Sequence, residues 1–163
     1  MRIAILSDSH DNIWKLDIAL PILRSAEIVL HCGDIISPFM IRRLISGLGA
    51  MPIHIVWGNN DGDKRLLSQI ALRENNVQIH GDFGLLDFNG FKVAIVHYPE
   101  LARSLAESKL YDMVCYGHDH IAYESLVGNT LLINPGELMG LNGRSTIAIY
   151  DTKSKSVEIV DIV

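Results

Sequence analysis

MRIAILSDSH, residues Met1–His10, reads as a short β-branched strand that breaks into a polar loop. The same grammar returns in IVLHCGD, Ile28–Asp34, and again in IHIVWGNNDG, Ile53–Gly62. Apolar runs of this length, bounded by turn formers, mark strands buried on both faces of a parallel sheet. The strands expected are Arg2–Leu6, Ile28–His31 and Ile53–Trp57. Helical patterns fill the gaps. One runs from about Ile13 to Arg24, where Pro21 should kink it or end it early. A second opens on Ser37-Pro38, an N-cap followed by proline at the first helical position, and stops near Gly47. A third follows Asp63 and runs to about Glu74. The order βαβαβα implies right-handed crossovers.

The second half changes character. Leu85–Phe88 and Phe91–Val96 flank Asn89-Gly90, a strong hairpin signal. A helix over Glu100–Ser108 and a buried strand over Met113–Tyr116 follow. Ile121–Val127 and Thr130–Ile133 flank Gly128-Asn129, and Ser145–Tyr150 and Ser156–Val160 flank a Lys/Ser-rich turn, giving two more hairpins. Strands in both halves need cover, so the expected fold is α/β, with two mixed sheets face to face and helices outside. At 163 residues the chain suffices for one domain, residues 1–163, and is too short for two ordinary ones.

Composition narrows the function. Hydrophobic residues at 48% and charged residues at 20% exclude a disordered chain. Fourteen Lys+Arg against nineteen Asp+Glu give a net charge of −5 without a basic run, which argues against general nucleic-acid binding. The longest mostly apolar stretch, Ile13–Leu23, is interrupted by Lys15, Asp17 and Pro21 and is too short to span a bilayer. No signal-peptide pattern opens the chain, and Cys32 and Cys115 lie far apart in apolar runs, as buried reduced thiols do. A cytoplasmic protein without membrane association is expected.

The polar chemistry collects just after the strands, where open α/β sheets place their ligand sites. Asp8 and His10 follow the first strand, two residues apart; in an extended segment they would project to one side. Gly33-Asp34 follows the second, where glycine permits close backbone approach and the carboxylate has two oxygens able to bridge two cations. Gly58-Asn59-Asn60-Asp61 follows the third, His97 follows the hairpin strand, and Gly117-His118-Asp119-His120 follows Met113–Tyr116. Each has a plainer reading taken alone. Asp8 or Asp11 could be a helix N-cap, Gly33-Asp34 a turn, Asn59–Gly62 a turn-rich loop, and His97 a bonded core histidine. The succession is the informative feature: five strand ends in a row carry metal-type ligands, and four of the seven histidines fall among them.

The series Asp8-x-His10, Gly33-Asp34, Gly58-Asn59-x-Asp61, His97 and Gly117-His118-x-His120 resembles the calcineurin-like metallophosphoesterases. Within them it is similar to the small prokaryotic branch of single-domain phosphodiesterases. The likeness spans nearly the whole chain, including Ile133-Asn134-Pro135-Gly136-Glu137. It implies a four-layer α/β/β/α sandwich and a two-metal centre. Asp8, His10 and His120 would hold one ion, Asn59, His97 and His118 the other, and Asp34 would bridge them. Asp34, Asn59, Asn60 and His97 would then be the catalytic set. A metal-bound hydroxide would attack the phosphorus of a small phosphodiester, the ions neutralising the phosphoryl oxygens. Carboxylate, amide and imidazole ligands without thiolate suit two divalent ions, Mn²⁺ first, with Fe²⁺, Zn²⁺ and Ni²⁺ as alternatives.

Two departures bear on activity. Many family members have His where this chain has Asn60, and Asn cannot deliver a proton to a leaving group. Tyr98-Pro99 follows His97 where close relatives have Gly-His; Tyr98 would pack the lip of the site. Asp61 either supports a neighbouring ligand or is a turn residue. His31, Cys32 and Cys115 read as packed strand-end residues and His80 as a loop residue. His54 would face solvent or a helix, Trp14 would pack or form an interface, Asn134–Gly136 is a tight turn, and Arg144 is solvated. The rival reading is a scaffold resembling the retromer subunit of this fold, with a weak or inactive site. All seven expected ligand positions are nevertheless filled. A metal-binding regulator is a third reading, and a homo-oligomer is compatible with the composition.

Overall fold

Strand β1 (Arg2–Leu6) is the seam of the molecule, with four of its five residues buried. In this computed structural model, which describes residues 1–163, β1 pairs parallel with β2 (Ile28–His31) and antiparallel with β10 (Thr146–Asp151). Beyond β2 lie β3 (Ile53–Ile55) and β4 (Val77–Ile79), both parallel, and beyond β10 lies β11 (Ser156–Asp161). The first sheet therefore runs β11-β10-β1-β2-β3-β4. The second sheet is built from β5 (Phe83–Phe88), β6 (Phe91–Val96), β7 (Met113–Cys115), β8 (Ala122–Val127) and β9 (Thr130–Pro135), in the order β5-β6-β7-β9-β8. Both sheets are mixed, as the alternation of crossovers and hairpins implies.

The period-2 alternation of strand side chains sorts the core into three layers. Ala4 and Leu6 of β1 join Val29, Ile147 and Ile149 against helices α1 (Ile13–Leu23), α2 (Pro38–Leu48) and α3 (Lys64–Ala71). Ile3 and Ile5 turn the other way and pack between the sheets with Leu30, Val93, Ile95, Met113 and Ile133. Ala94, Val96 and Val114 then face α4 (Pro99–Glu107). The result is the four-layer order of three helices, sheet, sheet, helix. Cys32 and Cys115 are free thiols buried in the central layer.

Several local expectations change. Pro21 does not end α1 early; it lies in the last turn, close to the C-cap Arg24. The cap of α1 is Asn12, whose side chain accepts from Lys15 N, and Asp11 instead accepts from Ser37 Oγ. Ser37 and Asp63 cap α2 and α3 as their positions suggest. Strand β4 was not expected, because its three residues include only one that is fully buried. His54 is half-buried and faces no helix. Opposite Leu30 in the register, it meets His80, with Nδ1 and Nε2 at 3.0 Å.

That pair gives the fold a pH dependence. Burial, then the neighbouring His80, depresses His54 from the ordinary 6.5 to about 4, and burial lowers His80 as well. Groups protonated more easily when unfolded contribute stability that is whole above about pH 6.5 and lost as pH falls toward 4. Urea unfolding from pH 7 to 4 should show the parent losing on the order of 1–2 kcal/mol more than a His54→Gln/His80→Gln variant, allowing for partial exposure.

Candidate metal centre

The loops that leave β1, β2, β3, β6 and β7 meet at one end of the sandwich. Backbone bonds lace them together: Asp8 N donates to Gly33 O, and Ser9 N and His10 N both donate to Asp34 O, each at 3.1 Å. Asp8 and His10 do not share a face through an extended backbone. Asp8 (φ 50°), His10 (39°), Asp34 (56°), His118 (76°) and His120 (61°) all adopt left-handed conformations. Such residues are uncommon outside turns and cluster where the surroundings fix a functional geometry. Two glycines make room. A Cβ on Gly58 would run into the Asp34 carboxylate and backbone, and one on Gly117 into Ser7 Oγ and Asp8 Oδ2.

One half of the cluster is Asp8, His10 and His120, whose donor atoms lie within 4.8 Å of one another. His120 Nε2 stands 3.3 Å from Asp8 Oδ1, while His10 Nε2 stands 3.9 Å from that oxygen and 3.3 Å from Asp34 Oδ2. The other half is Asn59, His97 and His118. Asn59 Oδ1 is 3.0 Å from His97 Nε2 and 2.9 Å from His118 Nδ1, and the two imidazole nitrogens are 3.3 Å apart. Asp34 stands between the halves, its Oδ2 also 3.7 Å from His97 Nε2. All seven expected ligand residues thus converge.

The donor set fits a cation. His97 Nδ1–H donates to Cys32 O at 2.8 Å, which leaves Nε2 as a lone pair. That lone pair faces the amide oxygen of Asn59 and the carboxylate of Asp34, neither of which has a proton to offer it. On the other side, Asp8 Oδ1 and His10 Nε2 are buried without a hydrogen-bond partner. Buried electron-pair donors turned toward one another are costly unless a positive charge joins them. Without a cation, the carboxylates and the histidines beside them answer one another as ion pairs. Burial would raise Asp8 and Asp34, but His10 and His120 beside Asp8 hold it well below the usual carboxylate range. His10 and Asn60 hold Asp34 at about 2. In return the facing carboxylates raise His10 and His120 to about 9.

Other residues hold these donors in place. Asn60 does not point away from the cluster: its backbone N–H and its Nδ2 each donate to Asp34, both at 2.8 Å. Asp61 is no mere turn residue. It accepts from Gly58 N (2.7 Å), Ile36 N (2.8 Å) and Asp34 N (3.3 Å), so one carboxylate clamps the loops of β2 and β3. Asp61→Ala strands these buried donors and should cost roughly 2–4 kcal/mol in urea unfolding. Buried His31, pushed down to about 4 by desolvation, accepts from Gly33 N through Nδ1. Its Nε2–H donates to Ser9 Oγ, which in turn donates to Asp34 O.

Asn134 and Pro135 are not a turn: they close strand β9, opposite Tyr123 and Ala122 of β8. Asn134 Nδ2 holds Gly117 O and Asp119 Oδ1, which steadies the two-histidine loop. Glu137, buried and bonded to His120, had no role in the sequence reading. The rule that found the ligands, a polar residue just past a buried strand, also marks Glu137. Tyr98 lies edge-on to His97 and His118, with ring centroids at 5.2 and 5.0 Å, at the lip of the site. Arg144 pairs with Asp161 at 2.6 Å, and Trp14 is exposed.

The sequence profile of the calcineurin-like phosphoesterase superfamily domain matches residues 1–155. Phosphodiesterase MJ0936 of Methanocaldococcus jannaschii is 37% identical over 160 residues, covering 95% of both chains. The probable metallophosphoesterase YsnB of Bacillus subtilis is 29% identical, covering 97% of this chain and 95% of its own. Among solved structures, a novel archaeal phosphodiesterase superposes with a TM-score of 0.90 at 34% identity, covering 99% of each chain. Vps29 of Entamoeba histolytica, in complex with zinc, superposes over all of both chains with a TM-score of 0.63 at 19% identity, a likeness of fold alone. The chain belongs to the calcineurin-like phosphoesterase superfamily, in its small metallophosphoesterase branch. Members of that superfamily use divalent metals, and Asp8, His10, Asp34, His97 and His120 form candidate ligand groups here.

Proposed function

We propose that this chain, acting as one domain, is a metal-dependent phosphodiesterase that hydrolyses small phosphodiesters at a centre for two divalent cations. The convergence of carboxylate, amide and imidazole donors around Asp34 carries this reading. Asp8, His10 and His120 hold one cation, Asn59, His97 and His118 the other, and Asp34 reaches both. A bound cation pair supplies positive charge to the phosphoryl oxygens and acidifies coordinated water. The donor chemistry suits Mn²⁺, with Fe²⁺, Zn²⁺ or Ni²⁺ able to replace it.

The protein's own contribution is positional. Cys32 O fixes the His97 tautomer, Asp61 holds the backbone of Asp34, and Asn60 aims both Asp34 oxygens. Asn60 carries no titratable proton, so esters with good leaving groups are the favoured substrates, and diesters over monoesters. The scaffold alternative is not favoured, since it gives no reason to keep seven cation donors turned inward. No helix is long and apolar enough to cross a membrane. Two buried free thiols suit the reducing cytoplasm as the working compartment.

Chelator-stripped protein should hydrolyse bis-p-nitrophenyl phosphate only after Mn²⁺ is restored, and faster than it hydrolyses p-nitrophenyl phosphate. Equal rates with and without added ion would sink the metal-dependent reading. Faster monoester turnover would sink the substrate preference.

A further inference from the structure

Glu137 is a carboxylate with no exposure to solvent. A buried carboxylate is expensive unless its charge and both of its oxygens are answered. Here each oxygen has one partner. Oε2 accepts from His120 Nδ1–H, and Oε1 accepts from Asn142 N, both at 2.5 Å. With Nδ1 given to Glu137, the His120 imidazole presents Nε2 on the side of Asp8 Oδ1, 3.3 Å away, as the atom left for a cation.

The backbone after Glu137 is tied to the same half of the site. Leu138 N donates to Ser7 O at 3.0 Å and Met139 N to Asp8 O at 3.1 Å, while Met139 O accepts from Asn12 Nδ2. Residues Glu137–Met139 are therefore a strap that fixes His120 and Asp8 relative to each other. Side chain and backbone of one short segment set both donors.

The other half has no such carboxylate. The outer nitrogen of His97 meets a neutral carbonyl, Cys32 O, and His118 turns its Nδ1 into the cluster itself. A carboxylate behind a ligating imidazole orients the ring and strengthens it as an electron-pair donor more than a carbonyl does.

We infer that Glu137 is a positioning residue that tightens one cation only, the one held by Asp8, His10 and His120. The inference rests on the two-cation reading above. The two sites are consequently unequal, and Glu137 sets the difference.

The test is Mn²⁺ titration of the full chain by calorimetry, with bound metal counted by mass spectrometry, for the parent, Glu137→Gln and Glu137→Asp. Glu137→Gln preserves shape and should weaken one of two ions about 10–100-fold while leaving the other within about threefold. Glu137→Asp keeps the charge on a shorter reach and should fall between; it also serves if the Gln variant fails to fold. A second readout needs no turnover. In ¹⁵N-histidine protein loaded with Zn²⁺, the His120 Nδ1–H proton should resonate far downfield, and in Glu137→Gln it should move upfield and exchange faster with water. Two ions at parental affinity in Glu137→Gln, with that proton unmoved, would overturn the role of Glu137 and leave the two-cation centre standing. Equal weakening of both ions would overturn its selectivity. A parent chain that binds no Mn²⁺ would overturn the two-cation reading itself.

Discussion

Asp34→Asn, with Mn²⁺ restored, should hydrolyse bis-p-nitrophenyl phosphate at less than about 1% of the parental rate. Loss of a partner that merely supports a ligand costs roughly 10–100-fold, and Asp34 is central rather than supporting. Its Oδ2 lies close to both halves of the cluster, 3.3 Å from His10 Nε2 and 3.7 Å from His97 Nε2. The amide keeps the size of the side chain but removes the charge and places an N–H₂ group where an acceptor stood. That group would face either the imidazole donors or the Asn60 N–H and Nδ2 that now point at Asp34. Circular dichroism of the variant should match the parent, because the core layers lie elsewhere. Parental turnover in a folded Asp34→Asn protein would remove Asp34 from the reaction.

The second large effect is thermal. A cation held by Asp8, Asp34 and the imidazoles of the folded protein, and not by the unfolded chain, should stabilise the fold. At Mn²⁺ a hundredfold above its dissociation constant, each ion adds about 2.7 kcal/mol. For a domain of this size that is a rise in Tm of roughly 5–10 °C per ion. Differential scanning calorimetry of chelated and Mn²⁺-loaded protein measures it directly. Asp8→Asn should lose the share of one ion while keeping the carbonyl oxygen that accepts from His118 N. A Tm indifferent to Mn²⁺ in the parent would contradict the cation centre.

Much of this was legible from residue order. The runs RIAIL, IVLH and MVC are buried because nothing polar interrupts them, and candidate ligands at the ends of five strands stand out in the sequence itself. The family resemblance then paired the ligands into two sets, and the loops do bring both sets together. Three things were not legible. Strand β4 carries too little apolar sequence to announce itself, since its burial is lent by β3. The meeting of His54 with His80 depends on that unannounced strand. The proximity of Asp8 to His10 comes from left-handed backbone that three long-range hydrogen bonds to Gly33 and Asp34 impose, not from strand alternation. The supporting residues were hidden for a related reason. Asp61, Asn134 and Glu137 are ordinary polar residues in the sequence, and their work appears only when the partners they hold, from other loops, are in place. Asn60 has no proton to deliver, as its residue type says, and the sequence does not show that its side chain grips Asp34.

Anomalous diffraction from crystals of the full chain grown with Mn²⁺ tests the centre most directly. Two peaks are expected, roughly 3.5–4 Å apart, with the Asp34 carboxylate between them, one beside Asp8, His10 and His120 and the other beside Asn59, His97 and His118. No peak at this end of the sandwich, or a single peak away from Asp34, would contradict the two-cation centre.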